Sequence, residues 1–338
     1  MVRHHAHLPS PDPGFVAAGT FSNGIGLGQC YVALIKGTSA WWASEYPGFC
    51  SGYIMAITSS GSFVFAWINH LLNTHFQLDH DPAHGPAYGL IYTGLVVFCC
   101  QLIGSLLLCE PKSTKSPVQS GSSILETRQI LSTWQFWALV VIWFSNLVPM
   151  LGMVSVLADT LHDPMQFDQT TATSASLLAL INASGVAFRL VVGILVEQIG
   201  TRPFFTAALG GQIIIFSVMP STALDSESLG IFISLLCLSK ICYGAGFTLT
   251  NVLARDIFGA QNGTQVFSLC ISAFALAAVC SPSIISSVSL CTYCYISSGV
   301  ASIGLVLLHL IRPYGLCNVS SDIEGCQEHM ITPDLGAK

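Results

Sequence analysis

Two cationic side chains stand inside apolar runs of this chain. Arg189 lies in GVAFRLVVGI and Lys240 lies in SLLCLSKICYGAG. A charge at the centre of a bilayer costs at least about 2.5–3.5 kcal/mol, so each needs a partner or a task. Arg189 could grip a carboxylate through two parallel N–H bonds. It could equally snorkel to an interface or pair with Glu197. Lys240 sits mid-span and reaches neither interface easily, which makes it the strongest single candidate for an intramembrane charge with a function. Lys36 is nearer an end, where snorkelling suffices. Tyr243, Thr248, Thr250 and Asn251 follow Lys240 on the same expected helix. They add polar handles to a site, although such residues more commonly hydrogen-bond neighbouring helices. The substrate-contacting set expected from these residues is Arg189, Lys240, Tyr243 and Asn251.

A second constellation follows Arg189 directly. Gly193-x3-Glu197-x2-Gly200-x-Arg202 leads from an apolar run into a short charged loop. Gly193 lets two helices touch closely. Glu197 falls at a helix C-terminus, where the helix dipole disfavours a carboxylate. It therefore wants Arg202 or the N-terminus of another helix. Gly200 permits the chain reversal. The four residues read as a latch that makes and breaks as helical bundles rock, or as a solvated turn with a chance ion pair.

These residues need elements to hold them. The 338 residues are 52% hydrophobic and 8% charged, with a mean hydropathy of +0.67. Soluble domains carry about 25% charged residues, so a polytopic membrane protein is the class that remains, surrounded by the lipid bilayer. Nine apolar spans are expected, near 15–38, 49–72, 87–109, 134–157, 173–196, 204–221, 229–252, 265–287 and 292–311. Their length, and the lack of strict alternation, predicts helices rather than strands. Lys112, Lys115, Arg128, Arg202, Arg255, Arg312 and Lys338 sort to one set of loops. The opposite loops hold Asp79, Asp81, Asp159, Asp163, Asp168, Asp225 and Glu227. The positive-inside rule then places the C-terminus in the cytoplasm and the N-terminus outside, with Arg3 a mild misfit.

The Ser/Lys/Pro-rich stretch 110–133 is the expected cytoplasmic linker between two bundles. A polar segment, 1–14, precedes a three-helix bundle over 15–109. A six-helix bundle follows over 134–312, then a polar cytoplasmic tail over 313–338. Residues 24–49 resemble 243–267 in layout, a faint internal repeat of the kind transporters use.

The latch spacing resembles the loop signature of the major facilitator superfamily, G-x3-D-x2-G-x-[RK], with Glu197 in place of the usual Asp. NASGVAFRLVVGILVEQIGTR (182–202) resembles the corresponding segment of the oxalate/formate antiporter-like and monocarboxylate branch. LARDIFGAQNGTQVFSL (253–269) resembles the segment between that branch's helices ten and eleven, through Asp256, Phe258, Gly259 and Gly263. WWASEYPGFCSGYIMAITSSGS (41–62) resembles the segment between helices four and five, with Tyr46 and Pro47 replacing its basic residues. The resemblance runs over roughly 15–312.

It implies an all-α, polytopic bundle of the major facilitator type, its nine helices matching helices 4–12. Helices 1–3 and the first copy of the latch loop have no counterpart, and a fragment of a full-length carrier is the expectation. The resemblance implies a secondary transporter for a small organic anion, a monocarboxylate or an oxalate/formate-like acid. Transport would proceed by alternating access, with proton coupling or anion exchange driving it and no bound cofactor. The oxalate carrier of that family uses basic residues on helices eight and eleven. TQVFSLCISAFALAAVCSPSII (264–285) has none, which weakens a dicarboxylate. The alternative is a shortened, non-transporting membrane protein acting through a partner.

Other chemistries find less support. Nothing is basic enough for nucleic acid. No Ser/His/Asp set, zinc signature or phosphate-cradling glycine loop points to an enzyme. Thirteen cysteines are scattered through apolar segments, where a thiol serves as a small hydrophobe. Cys291 and Cys294 form a Cys-x2-Cys pair at an expected helix start, and two thiols alone do not complete a zinc site. His70, His75, His80 and His84 lie beside Asp79 and Asp81, but their spacing matches no compact metal motif. The sequons at Asn182, Asn262 and Asn318 fall in a helix or on the cytoplasmic side, so no glycosylation is expected. Pro282, and either Gly244 or Gly246, are expected to mark helix bends.

Overall fold

A computed structural model describes residues 34, 37, 46–75, 85–107, 125–162, 167, 171–224 and 228–312. Among them there is no strand. The helices are α1 (Pro47–His75), α2 (Gly85–Leu107), a short α3 (Thr127–Ser132), α4 (Trp134–His162), α5 (Thr171–Ile199), α6 (Thr201–Met219), α7 (Leu229–Phe258), α8 (Ala260–Ser287) and α9 (Leu290–Leu310). A π-helical turn, Pro220–Leu224, extends α6. Without water to satisfy backbone groups, helices are the only open-ended element that can cross lipid.

Among the described residues, six segments are long and apolar enough to cross a membrane. They are Trp134–Leu157, Ser176–Ile199, Thr201–Thr222, Leu229–Phe258, Asn262–Ser287 and Leu290–Leu310. The shortest, 21 residues, spans about 31 Å at the helical rise. These six coincide with the last six expected spans. Helices α1 and α2 stand where the second and third were expected, but only Gly94–Gly104 of α2 counts as a shorter apolar stretch. The first expected span lies outside the described residues except for 34 and 37. So do the linker before Leu125, the tail beyond Arg312 and the His80–His84 part of the histidine loop.

Helices α4 to α9 pack around one core. The main contacts pair α4 with α8 and α9, α5 with α7, α6 with α7 and α9, and α7 with α8. Trp143 is its largest fully buried side chain. Its indole stands edge-on to Phe247 of α7 at 5.4 Å and tilted against Phe267 of α8 at 5.3 Å. Asn146 and Gln212, both fully buried, tie α4 to α6: Gln212 Nε2 donates to the Asn146 carbonyl at 2.9 Å. Asn146 Nδ2 donates to the Cys242 carbonyl of α7 at 3.2 Å.

Helix α1 lies on the outside of this core, along α5 and α7, and α2 touches α1. The α1–α5 contact is the most extensive between any two helices. Glycine makes it possible. A Cβ on Gly52 would stand 2.6 Å from the Arg189 carbonyl oxygen and 2.8 Å from Gly193 Cα. Backbone meets backbone there, as small residues allow in lipid.

Two hairpins turn on a single residue each. Gly200 separates α5 from α6 and Gly259 separates α7 from α8, at φ of 93° and 84°. Side chains bearing a Cβ rarely adopt that backbone. The residues expected at bends lie inside continuous helices. α7 runs unbroken through Gly244 and Gly246, and α8 through Pro282. The two α7 glycines make room for their neighbours. A Cβ on Gly246 would collide with the Asn146 amide, and one on Gly244 would stand 2.9 Å from the Gly185 carbonyl.

Candidate functional site

The α5–α7 seam carries both intramembrane cations, each seated over a glycine of the other helix. Lys240 of α7 lies against Gly185 of α5: a Cβ on Gly185 would meet Lys240 Cγ at 2.9 Å. Arg189 of α5 lies against Gly244 of α7, where a Cβ would meet Nε at 3.2 Å. Gly185 and Arg189 are four residues apart, and so are Lys240 and Gly244. The two cations therefore succeed each other along the seam by one helical turn, roughly 5–6 Å.

Each cation also rests on a ring of α7. Arg189 Cζ is 4.8 Å from the centroid of Phe247, and Lys240 Nζ is 4.8 Å from that of Tyr243. The rings of Tyr243 and Phe247 are themselves 5.2 Å apart, edge to face. A ring face attracts a cation, more so where water is scarce. Arg189 is only 6% exposed, whereas Lys240 is half-buried.

The seam faces α1. Arg189 Nη1 donates to the Met55 carbonyl of α1 at 2.9 Å. Of the fates expected for Arg189, pairing with Glu197 is not the geometry found. One turn nearer the start of α1, Asn251 Nδ2 donates to Ser51 Oγ at 3.1 Å, and that hydroxyl donates to the Thr248 carbonyl at 3.3 Å. Asn251 thus bridges α7 to α1, as polar residues do between membrane helices. Its Oδ1 and the Thr248 hydroxyl are buried and unbonded among the described residues. Thr250 turns back on its own helix, bonding the Gly246 carbonyl at 2.7 Å.

The latch residues complete the seam. Glu197 Oε1 accepts from the backbone N–H groups of Gly48 and Phe49 at 3.0 and 3.1 Å. Of its two expected partners, the carboxylate has taken the N-terminus of a neighbouring helix, where free N–H groups and the dipole favour negative charge. Arg202 goes elsewhere. Its Nη2 donates to the Ile311 carbonyl at 2.8 Å, just beyond the last turn of α9. A cation suits a helix C-terminus for the same reason reversed. Gly193 lies under α1, where its own Cβ would meet the Gly48 carbonyl oxygen at 2.9 Å.

The second loop motif adjoins the first. Thr201 Oγ1, opening α6, donates to Asp256 Oδ2 at 2.7 Å. Gly263 admits the α7–α8 hairpin, since a Cβ there would stand 2.6 Å from Arg255 Cα. Phe258 is buried, and its carbonyl accepts from Asn262 Nδ2 at 3.2 Å. Asn262 Oδ1 accepts from the Leu125 N–H at 3.0 Å, which ties the end of the 110–133 stretch to this hairpin.

Sequence reasoning missed Ser51, Met55 and Gly52, which supply the α1 side of the seam. All three lie in the 41–62 segment, whose family resemblance and glycines four apart in PGFCSG were the available signals. Among the described residues, no group of three or more His, Cys, Asp and Glu is placed to hold a metal ion.

The family described as Major Facilitator Superfamily matches residues 6–282. No curated protein matches the chain.

Proposed function

Since the chain belongs to the major facilitator superfamily, a family of multi-pass membrane transporters, we propose that its cargo is a small organic anion. A monocarboxylate or an oxalate/formate-like acid fits, moved by alternating access with proton coupling or anion exchange. The observation that carries this is the pair of cations one turn apart on the α5–α7 seam. Two positive charges in a low-dielectric site repel. A carboxylate beside them relieves that repulsion and offers Arg189 a bidentate acceptor. Lys240 contributes a second, point-like charge. Tyr243 and Asn251 flank the cations on α7.

The reading assigns the latch to the conformational step. Glu197, Asn251 and Arg189 hold α1 at successive levels through Gly48 and Phe49, Ser51, and Met55. An anion that binds Arg189 competes with the Met55 carbonyl for its donors. Binding can thus shift the equilibrium between arrangements of α1, because its affinity differs between them. We place this latch end, and the C-terminus, on the cytoplasmic side.

The test is carboxylate uptake into proteoliposomes. Arg189→Ala and Lys240→Ala should each abolish uptake while membrane expression stays intact. Arg189→Lys should restore little, because an ammonium lacks the planar fork. Unchanged uptake in both alanine variants refutes the site.

A further inference from the structure

At the end of the bundle remote from the latch, a methionine sulfur and a cysteine sulfur meet where α6 meets α9. Arg202 and Ile311 mark the latch end of these two helices. Their other ends bring Met219, the last residue of α6, against Cys294 in the first turns of α9. Met219 Sδ and Cys294 Sγ are 4.0 Å apart, and both residues are fully buried. Cys291 lies three residues before Cys294, hence on the same helix face. It is only half-buried, so the Cys-x2-Cys pair has an edge reachable from outside.

We propose that Met219, Cys291 and Cys294 form a binding site for a soft monovalent cation of the Cu(I) class. Thiolate and thioether ligands together select such ions over zinc or magnesium. With metal–sulfur bonds of about 2.3 Å and three ligands at about 120°, neighbouring sulfurs stand about 4.0 Å apart. The Met219–Cys294 separation already has that value. The pair of thiols that falls short of a zinc site in sequence gains a third sulfur from α6. Each thiol that ligates releases its proton to solvent as the metal binds.

The surroundings are built to hold the two helices in place. Ser217 and Ser298 share a hydroxyl hydrogen bond of 2.8 Å, and Ser298 Oγ donates to the Ile213 carbonyl at 3.2 Å. Between the two cysteines, Tyr293 donates to the Val148 carbonyl of α4 at 2.5 Å. The sulfurs are therefore carried by backbone clamped on both sides, so little ordering remains for the ion to impose. An occupied site would fasten α9 to α6 at the end opposite the Glu197 contact.

The experiment titrates the reduced, purified full chain in detergent with Cu(I) against a chromogenic Cu(I) chelator. X-ray absorption of the loaded protein reads the ligands. The expected result is one tightly held equivalent with sulfur-only coordination. Cys294→Ser and Met219→Leu should each weaken it at least tenfold, while the paired Cys99→Ser/Cys100→Ser variant should leave it unchanged. Met219→Leu conserves volume and keeps every thiol, so it separates this site from adventitious thiol binding. A Met219→Leu titration that superimposes on the parent overturns the proposal. So does a protein that yields all its Cu(I) to the chelator, or a Cys291–Cys294 disulfide in the unreduced chain by intact mass.

Discussion

The α1–α5 seam and the α4–α8 seam are both long helix contacts, built from opposite materials. Gly48, Gly52 and Gly193 bring α1 and α5 together backbone to backbone. What holds α1 there is a short series of hydrogen bonds to Glu197, Asn251 and Arg189. Between α4 and α8 the contact is bulk, with Trp143 packed on Phe267 and closed over by Phe247. Interdigitated rings leave no alternative packing of equal density. A glycine seam has no knobs to unlock, and its hydrogen bonds can be exchanged for others. The difference suits α1 to move against a body that keeps its shape.

The largest effect should come from the rigid seam. Trp143→Ala removes the largest buried side chain and should cost about 3–5 kcal/mol of stability. The thermal midpoint of the purified protein in detergent reads this directly. A midpoint within a degree or two of the parent would mean the aromatic core is not the rigid partner.

Gly52→Val should come next and act differently. Its branches would press on the Arg189 carbonyl and Gly193 Cα, neither of which can swing away. Overpacking of this kind costs about 1–3 kcal/mol. α1 can answer by standing off from α5, so the thermal midpoint should move less than in Trp143→Ala while uptake falls to background. Parental uptake would show that this close approach is not required for the cycle.

The smallest effects belong to the helix ends. Glu197→Gln keeps an acceptor but removes the charge at the α1 N-terminus, a loss of about 0.3–1 kcal/mol. Arg202→Gln removes a charge of similar worth from the end of α9. The first breaks a contact between α1 and the core, and the second a contact within the core. Only Glu197→Gln should change the labelling rate of Cys50, which is buried in the first turn of α1. Equal labelling in both variants would remove the distinction between the two charges.

Much of the architecture was legible because it repeats locally. Apolar run lengths located the six helices from Trp134 onward, since lipid thickness sets their length. The Gly193–Arg202 spacing announced a tight turn, and Gly200 and Gly259 turn at positive φ because a Cβ disfavours that backbone. The carboxylate of Glu197 announced a need for a donor, because its own helix end offers only carbonyls.

Partners were decided by the tertiary structure alone. Glu197 reaches Gly48 across 149 residues, and Arg189 reaches the Met55 carbonyl across 134. Arg202, beside Glu197 in sequence, turns to Ile311 instead. That Gly244 and Gly246 are seats for Arg189 and Asn146 shows only in space. Met219 carries no mark that singles it out from other methionines until α6 and α9 bring it to Cys294. The physical reason is common to all of these. Hydropathy and turn chemistry act over one helix or one loop, and sequence states them outright. A hydrogen bond or a sulfur contact between helices depends on their rotation and stagger, which glycine contacts and buried rings set together only once the bundle is packed.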